Sequence, residues 1–176
     1  MDGVRYVKAP LKIFFQEGDK ENKSFKREYD ELSQVDDDSV GQWLKLAKAR
    51  GETRESDQIL MTLLVELHRK VDYLTSITRD EDAKLLQLKH HAKIESIGYG
   101  YFRFEDDTIE DSLFYYGRIE VPVFPKREMP VFFKALNSKE AQIVLMHEQD
   151  EKDWGSYLVA RERIMIREMK GRENDD

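Results

Sequence analysis

The chain has 176 residues, of which 40% are hydrophobic, 11% aromatic and 37% charged, and its net charge is −7. This length allows one compact domain with an appendage and excludes two full catalytic domains. The negative charge argues against non-specific binding of nucleic acid or anionic membranes, because both are bound through basic surface. The lack of cysteine excludes disulfides, thiolate chemistry and most structural zinc sites.

The sequence also indicates where the protein works. No apolar run approaches the roughly 20 residues that span a bilayer, and the first residues lack the basic-then-apolar order of a signal peptide. A chain without cysteine fits a reducing compartment best. We therefore expect a cytoplasmic protein that does not insert into membranes.

Residues 1–55 are expected to contain a docking segment followed by short helices. Residues 4–15 are apolar but are interrupted by Pro10, which favours an extended segment over a long helix. Apolar residues recur at helical spacing over residues 25–32, and Ser39 is suited to cap a second short helix.

A long amphipathic helix is predicted from about Ser56 to Ile77, and residues 56–82 comprise this helix and a charged connector. Its apolar seam has spacings of 4, 3, 4 and 3 residues, as in a heptad pattern, and consists of Leu60, Leu64, Leu67, Val71 and Leu74. About three heptads are present, near the lower limit for a coiled coil. Packing within the chain, homo-oligomerisation and a groove for a partner protein are all consistent with the seam. These five residues are the candidate oligomerisation surface.

The hydrophobic period changes from 3.6 to 2 near residue 90. Short alternating runs follow one another between residues 92 and 145, and turn-like residues separate them. A last strand is predicted at Ser156–Val159, and a helix from Arg161 to Lys170. Closely spaced strands without intervening helices indicate a small barrel or sandwich.

These patterns together predict an α+β fold. Its N-terminal helical segment carries the long heptad-bearing helix, and residues 83–176 then form a small antiparallel six-stranded β-barrel with a C-terminal helix.

No motif in the sequence indicates catalysis or metal binding. The histidines do not form HExxH or another ligand spacing, and the neighbours His90 and His91 would point to opposite faces of a strand. Neither a GxSxG nucleophile elbow nor a Walker-type phosphate loop occurs. We therefore predict that the protein is not an enzyme and has no catalytic residue, metal site or resident cofactor.

Two features are suited to a ligand. The strand that contains Ser96 meets Gly98 and Gly100, which permit either a bulge that curves the barrel or the close approach of a planar ligand. Arg50 and Arg54 lie four residues apart in a glycine-containing loop. Their guanidinium groups suit phosphate and the Hoogsteen edge of guanine, although a solvated loop is the ordinary alternative.

The segment from Ile94 to Phe102 and the ending YLVARERIMIREM resemble the PilZ domain family. That family has a six-stranded β-barrel followed by a helix. It binds the bacterial second messenger cyclic di-GMP through an RxxxR loop and a (D/N)xSxxG strand motif. Ser96 matches the motif serine, whereas Ile94 stands in place of the acid and Tyr99 in place of the glycine.

The resemblance implies a bacterial PilZ-type signalling module, either a cyclic di-GMP receptor or a degenerate relative that acts through protein–protein contacts. A heptad helix beside such a barrel is similar to the atypical, tetrameric PilZ proteins, which assemble through helices. The ligand-binding residues that the resemblance implies are Arg50, Arg54, Ser96, Gly98 and Gly100. The alternative is a nucleotide-independent scaffold whose barrel and helix serve only assembly, with the seam of helix 56–77 forming a homo-oligomer.

Overall fold

The structure is a computed structural model that describes residues 3–34, 39–78, 85–122 and 127–173. In chain order its elements are β1 (Val7–Glu17), α1 (Lys23–Gln34), α2 (Ser39–Ala49), α3 (Gln58–Thr78), β2 (His90–Gly98), β3 (Tyr101–Phe104), β4 (Phe114–Val121), β5 (Arg127–Ala135), β6 (Glu140–Met146) and α4 (Glu148–Glu173). The chain divides into two compact units. We call Met1–Leu32 with Leu86–Asp176 the barrel unit, and Ser33–Leu85 the helical unit.

The six strands form a closed antiparallel barrel with the strand order β1-β2-β3-β6-β5-β4. Strand β1 closes it, because it pairs with β2 on one side and with β4 on the other. Its sequence alternates strictly: one set of side chains is buried in the core and the set between them is exposed. The buried set consists of Val7, Ala9, Leu11, Ile13 and Phe15. This period of two is what a strand with one face on a core requires.

Aromatic rings fill much of the barrel interior. The Phe133 ring stacks on Tyr115 at a centroid distance of 5.3 Å and meets Phe102 edge-on at 5.1 Å. Phe15 and Phe104 approach each other at 5.6 Å. Burying each large apolar side chain stabilises the fold by about 1.5–3 kcal/mol, so this cluster is a major part of the core.

The first half of helix α4 packs against the barrel core. Trp154 and Leu158, one helical turn apart, are both buried in the same cluster as the barrel residues. The indole Nε1 of Trp154 donates a buried hydrogen bond of 2.9 Å to the carbonyl of Gly98 at the end of β2. This bond fixes the position of α4 relative to the β2–β3 turn.

Helix α1 covers the outer face of β4 and β5. Phe25 stacks on Tyr116 at 5.1 Å, and Tyr29 lies 5.4 Å from Phe132. Strand β4 is therefore buried on both faces, which explains why its residues do not show a simple alternation of exposed and buried positions.

A buried ion pair ties α1 to the barrel. Glu28 and Arg118 are only 6% and 5% exposed, and Glu28 Oε1 accepts hydrogen bonds from Arg118 Nη1 at 2.6 Å and from the Tyr116 hydroxyl at 2.9 Å. Burial, together with the Glu28 carboxylate, raises the pKa of Tyr116, which keeps its hydroxyl protonated as a donor. Arg118 Nε also lies 3.3 Å from a carboxylate oxygen of Glu128.

The same ion pair holds the chain where it returns from the helical unit. Glu28 Oε2 accepts a hydrogen bond of 2.6 Å from the Leu86 amide, and Arg118 Nη1 donates one of 3.0 Å to the Leu86 carbonyl. Both backbone groups of Leu86 are thus bound by charged side chains, which form stronger hydrogen bonds than neutral ones.

The helical unit contains α2 and α3. Asp57 caps α3, because its carboxylate accepts hydrogen bonds from the amides of Ile59 and Leu60 at 2.9 and 3.2 Å. The leucines of α3 are largely exposed; Leu60, Leu64 and Leu67 are exposed by 55%, 52% and 58%.

The prediction of an N-terminal helical segment with a long heptad-bearing helix was wrong. The first element is not a docking segment but barrel strand β1, so the barrel includes residues outside 83–176. The described helices before the barrel's second strand are short, with 12, 11 and 21 residues. At 21 residues α3 is not the long heptad-bearing helix that was predicted, and its leucines are exposed in the single chain. The predicted connector at residues 79–82 lies outside the described residues.

The predicted strand at Ser156–Val159 was also wrong. These residues belong to α4, which begins at Glu148, well before Arg161. A spacing of four residues between buried Trp154 and Leu158 fits a helix or a strand, but Ser156 between them is exposed, which fits only the helix. The barrel still has six strands, because β1, which was not predicted as a strand, makes up the number.

Replacing Glu28 by alanine is expected to lower the free energy of unfolding of the barrel unit by about 3–5 kcal/mol, because the Arg118 charge stays buried without its shortest partner. Urea unfolding followed by Trp154 fluorescence, in a Trp43→Phe background, measures this change. Glu31→Ala is the matched control on the same helix, since Glu31 is an exposed carboxylate 3.8 Å from Arg27. It should cost less than about 0.5 kcal/mol. Equal effects of the two variants would contradict the role of the buried pair.

Candidate functional site

A row of four polar side chains crosses the outer face of the barrel. In the strand register, Ser96 of β2 lies opposite Lys8 of β1 and opposite Arg103 of β3. Arg103 in turn lies opposite Glu140 of β6. Directly opposed residues on one face of a sheet are close neighbours. We call these four residues the Ser96 row.

A bulge in β2 directs Ser96 to the outer face. Ile94 and Ile97 are both buried in the core, although an odd spacing would put them on opposite faces of a regular strand. The register against β3 shifts between Ile94 and Ser96, which places an extra residue there. Ser96 therefore faces the same side as Arg103.

Ser96 differs from the other three residues of the row because its side chain is buried. Ser96 is only 7% exposed, and its Oγ has no hydrogen-bond partner among the residues that the structure describes. A buried hydroxyl without a partner costs about 1–3 kcal/mol. Such a group is suited to a ligand that supplies the missing partner.

Arg103 and Glu140 form the charged end of the row. Arg103 Nε donates a hydrogen bond of 3.2 Å to Glu140 Oε1, and Asn137 Nδ2 donates one of 2.8 Å to Oε2. The hydrogen bond from Arg103, followed by the one from Asn137, lowers the pKa of Glu140. The hydrogen bond to Glu140 raises the pKa of Arg103. The stabilisation by this pair is therefore present above the ordinary glutamate pKa and is lost as the pH falls through the lowered pKa.

The segment before β1 and the second half of α4 border the row. The Arg103 guanidinium lies 4.3 Å from the centre of the Tyr6 ring, a cation–π contact. Arg161 Nε donates a hydrogen bond of 2.9 Å to the Lys8 carbonyl, and Arg5 Nη1 lies 2.8 Å from Glu162 Oε1. Arg161 thus lies beside Lys8, whereas Arg5 and Arg103 are each paired with a glutamate.

Gly98 and Gly100 occupy positions that other residues would not fit. A Cβ on Gly98 would lie 2.9 Å from the Arg5 carbonyl oxygen, so glycine lets the N-terminal segment pass close to β2. Gly100 has a φ of +72° in the β2–β3 turn, a conformation that favours glycine. Gly98 is thus required by a close backbone approach and Gly100 by a turn, while the bulge in β2 lies at Ile94–Ser96.

The predicted ligand residues are divided between the two units. Ser96, Gly98 and Gly100 lie in the barrel unit, at the end of β2 and in the following turn, whereas Arg50 and Arg54 are exposed residues of the helical unit, just after α2.

The sequence reasoning missed Lys8, Arg103 and Glu140. The alternation of apolar and polar residues could have placed two of them on an outer strand face. Lys8 lies between buried Val7 and Ala9, and Arg103 lies between two buried phenylalanines. Which residues face Ser96 depends on strand order and register, and neither follows from alternation alone.

The row has the chemistry of an anion site. A hydroxyl flanked by a lysine and an arginine can donate to phosphate or carboxylate oxygens. Within the described part of the chain, no group of three or more histidine, aspartate or glutamate side chains is arranged to hold a metal ion. Also within that part, no helix combines the length and apolarity needed to cross a bilayer.

Comparison of the chain with protein-family models, with curated proteins and with solved structures found no match. The resemblance to the PilZ family therefore rests on the sequence segments Ile94–Phe102 and YLVARERIMIREM alone.

Proposed function

We propose that the protein is a PilZ-type signalling module whose Ser96 row binds a phosphate-bearing ligand, with cyclic di-GMP as the first candidate. The observation that carries this proposal is the buried Ser96 hydroxyl, which has no partner among the described residues and is flanked by Lys8 and Arg103. A ligand phosphate would meet the positive charge of Lys8, and it would satisfy the buried Ser96 hydroxyl once the side chains that cover that hydroxyl move aside.

The role of Arg103 differs from that of Lys8. Its guanidinium is held by Glu140 and by the Tyr6 ring, so it is oriented before a ligand arrives. A preoriented guanidinium loses less conformational entropy on binding and can stack on a base or bind its Hoogsteen edge. We infer that Arg103 contacts the nucleobase side of the ligand.

One departure from the family motif has a structural consequence. Ile94, which stands where the motif has an acid, is buried in the barrel core. The guanine contact of the usual motif therefore has no side chain at this position. Losing such an acceptor costs about 1–3 kcal/mol, or roughly tenfold to a hundredfold in affinity, so we expect weaker binding than a complete motif gives.

Calorimetric titration with cyclic di-GMP is expected to give micromolar or tighter binding. Lys8→Ala should weaken it by about tenfold or more, because a charged hydrogen bond contributes about 1.5–3 kcal/mol. Lys12→Ala is the matched control, since Lys12 is an exposed lysine farther along the same strand and should bind like the wild type. Ser96→Ala should weaken binding without lowering stability, because its hydroxyl has no partner to lose among the described residues.

Two results would contradict the receptor function. One is the absence of heat with the wild-type protein, and the other is an equal loss of affinity in the Lys8 and Lys12 variants. The double variant Arg50→Ala/Arg54→Ala decides whether the helical unit contributes. Wild-type affinity in that variant would remove Arg50 and Arg54 from the site.

A second candidate function, a nucleotide-independent scaffold, is favoured by the exposed leucines of α3. Leu60, Leu63, Leu64 and Leu67 are each exposed by more than half of their surface. Contiguous exposed apolar surface of this kind marks interaction sites. The occupant that we propose is α3 of a second copy, because one apolar row can pack on itself across a two-fold axis.

Light scattering of Leu64→Asp/Leu67→Asp tests this assembly. The wild-type protein is expected to be an oligomer and the double variant a monomer, because two carboxylates would be buried without partners. Thr62→Asp on the same helix adds a charge outside the leucine row and should retain the wild-type mass. A monomeric wild type, or an unchanged mass in the double variant, would contradict the scaffold function.

A further inference from the structure

A groove lies between the start of β1 and the second half of α4. Its volume is about 280 Å³, and it is formed by Lys8 and by residues between Arg161 and Arg172. All of these residues belong to the barrel unit. The groove is just below the range of roughly 300–1,000 Å³ typical of small-molecule pockets, which suits one or two side chains better than a whole cofactor.

The walls of the groove are apolar and adaptable. Ile164, Met165 and Met169 line it, and Met165 also packs against the barrel core. Met169 is 58% exposed. Methionine has an unbranched, polarizable side chain that adjusts to different apolar partners. A leucine-sized side chain from another molecule would bury this surface.

The rim of the groove is basic. Lys8, Arg161 and Arg172 line it together with one acid, Glu168. Residues 161–172 contain five basic residues and two glutamates, and the acidic residues Glu173, Asp175 and Asp176 follow, so the positive bias is confined to the groove and its rim. A local positive surface on an acidic protein selects negatively charged partners.

We propose that this groove binds an acidic segment of a partner protein, with an apolar anchor between Met165 and Met169 and flanking carboxylates on Arg161 and Arg172. The planar guanidinium groups match carboxylates in geometry and charge. A concave site suits an inserted side chain better than a flat lipid surface. The partner surface does not require that the Ser96 row binds a nucleotide.

Arg161 has a positioning role in this surface. Its Nε donates to the Lys8 carbonyl at 2.9 Å, which orients the guanidinium beside the groove, while its terminal nitrogens carry further N–H groups. A guanidinium that is already oriented loses less freedom when a carboxylate binds.

The test uses the full chain and a fluorescein-labelled synthetic peptide that has leucines at helical spacing and glutamates elsewhere. Fluorescence anisotropy should show binding that weakens as salt is added, and the same peptide with glutamine for glutamate should bind at least about fivefold more weakly. Arg172→Glu should reduce the affinity for the acidic peptide by about fivefold or more. Met169→Gln should reduce it as well, through the anchor.

Arg167→Glu is the matched control, because it changes the net charge of α4 by the same amount at a position that does not line the groove. It should retain most of the binding. Equal losses in the Arg167 and Arg172 variants would assign binding to general charge and overturn the groove. Absence of peptide binding, or binding only to vesicles that contain phosphatidylserine, would overturn the proposal as well. Arg172 and Met169 are exposed, so these variants are expected to fold.

Discussion

The pairing of β1 with both β2 and β4 is the constraint on which the rest of the structure depends. Without β1 the remaining strands form an open sheet with two exposed edges, whereas the closed barrel has none. Closure also buries the inward side chains of β1 among the core aromatics, with Phe15 in contact with Phe104, Tyr115 and Phe133. The N-terminal strand therefore contributes to the hydrogen bonding and to the hydrophobic core at once.

The chain accommodates a helical unit between β1 and β2, which are neighbouring strands of the barrel. The entropic cost of closing a loop grows only slowly with its length, so a long insertion between β1 and β2 costs little more than a short one. The insertion must still return at a defined place. Glu28 and Arg118 bind the backbone of Leu86, which fixes the chain shortly before β2 begins. The Ser96 row depends on the same arrangement, because Lys8 reaches Ser96 only when β1 is part of the barrel.

Much of the barrel could be predicted from sequence, because short apolar alternations recur through residues 92–145, although β4 is buried on both faces. Strand β1 was missed because Pro10 looked like an interruption. In the structure Pro10 is exposed and lies where the register with β2 shifts, a place where a missing amide hydrogen is tolerated. The prediction of a strand at residues 156–159 was wrong because a short apolar alternation in the sequence resembles that of a strand. These residues belong to α4, which buries Trp154 and Leu158 on one face. The candidate site could be predicted only at Ser96, because its neighbours are set by register.

Amide hydrogen exchange of the full chain tests the closed barrel most directly. If β1 is an integral strand, the amides of residues 11–15 that pair with β2 and β4 exchange as slowly as those of β4 and β5, because they open only with the whole barrel unit. Fast exchange in β1, while β2 to β6 remain protected, would contradict closure and with it the arrangement of the Ser96 row.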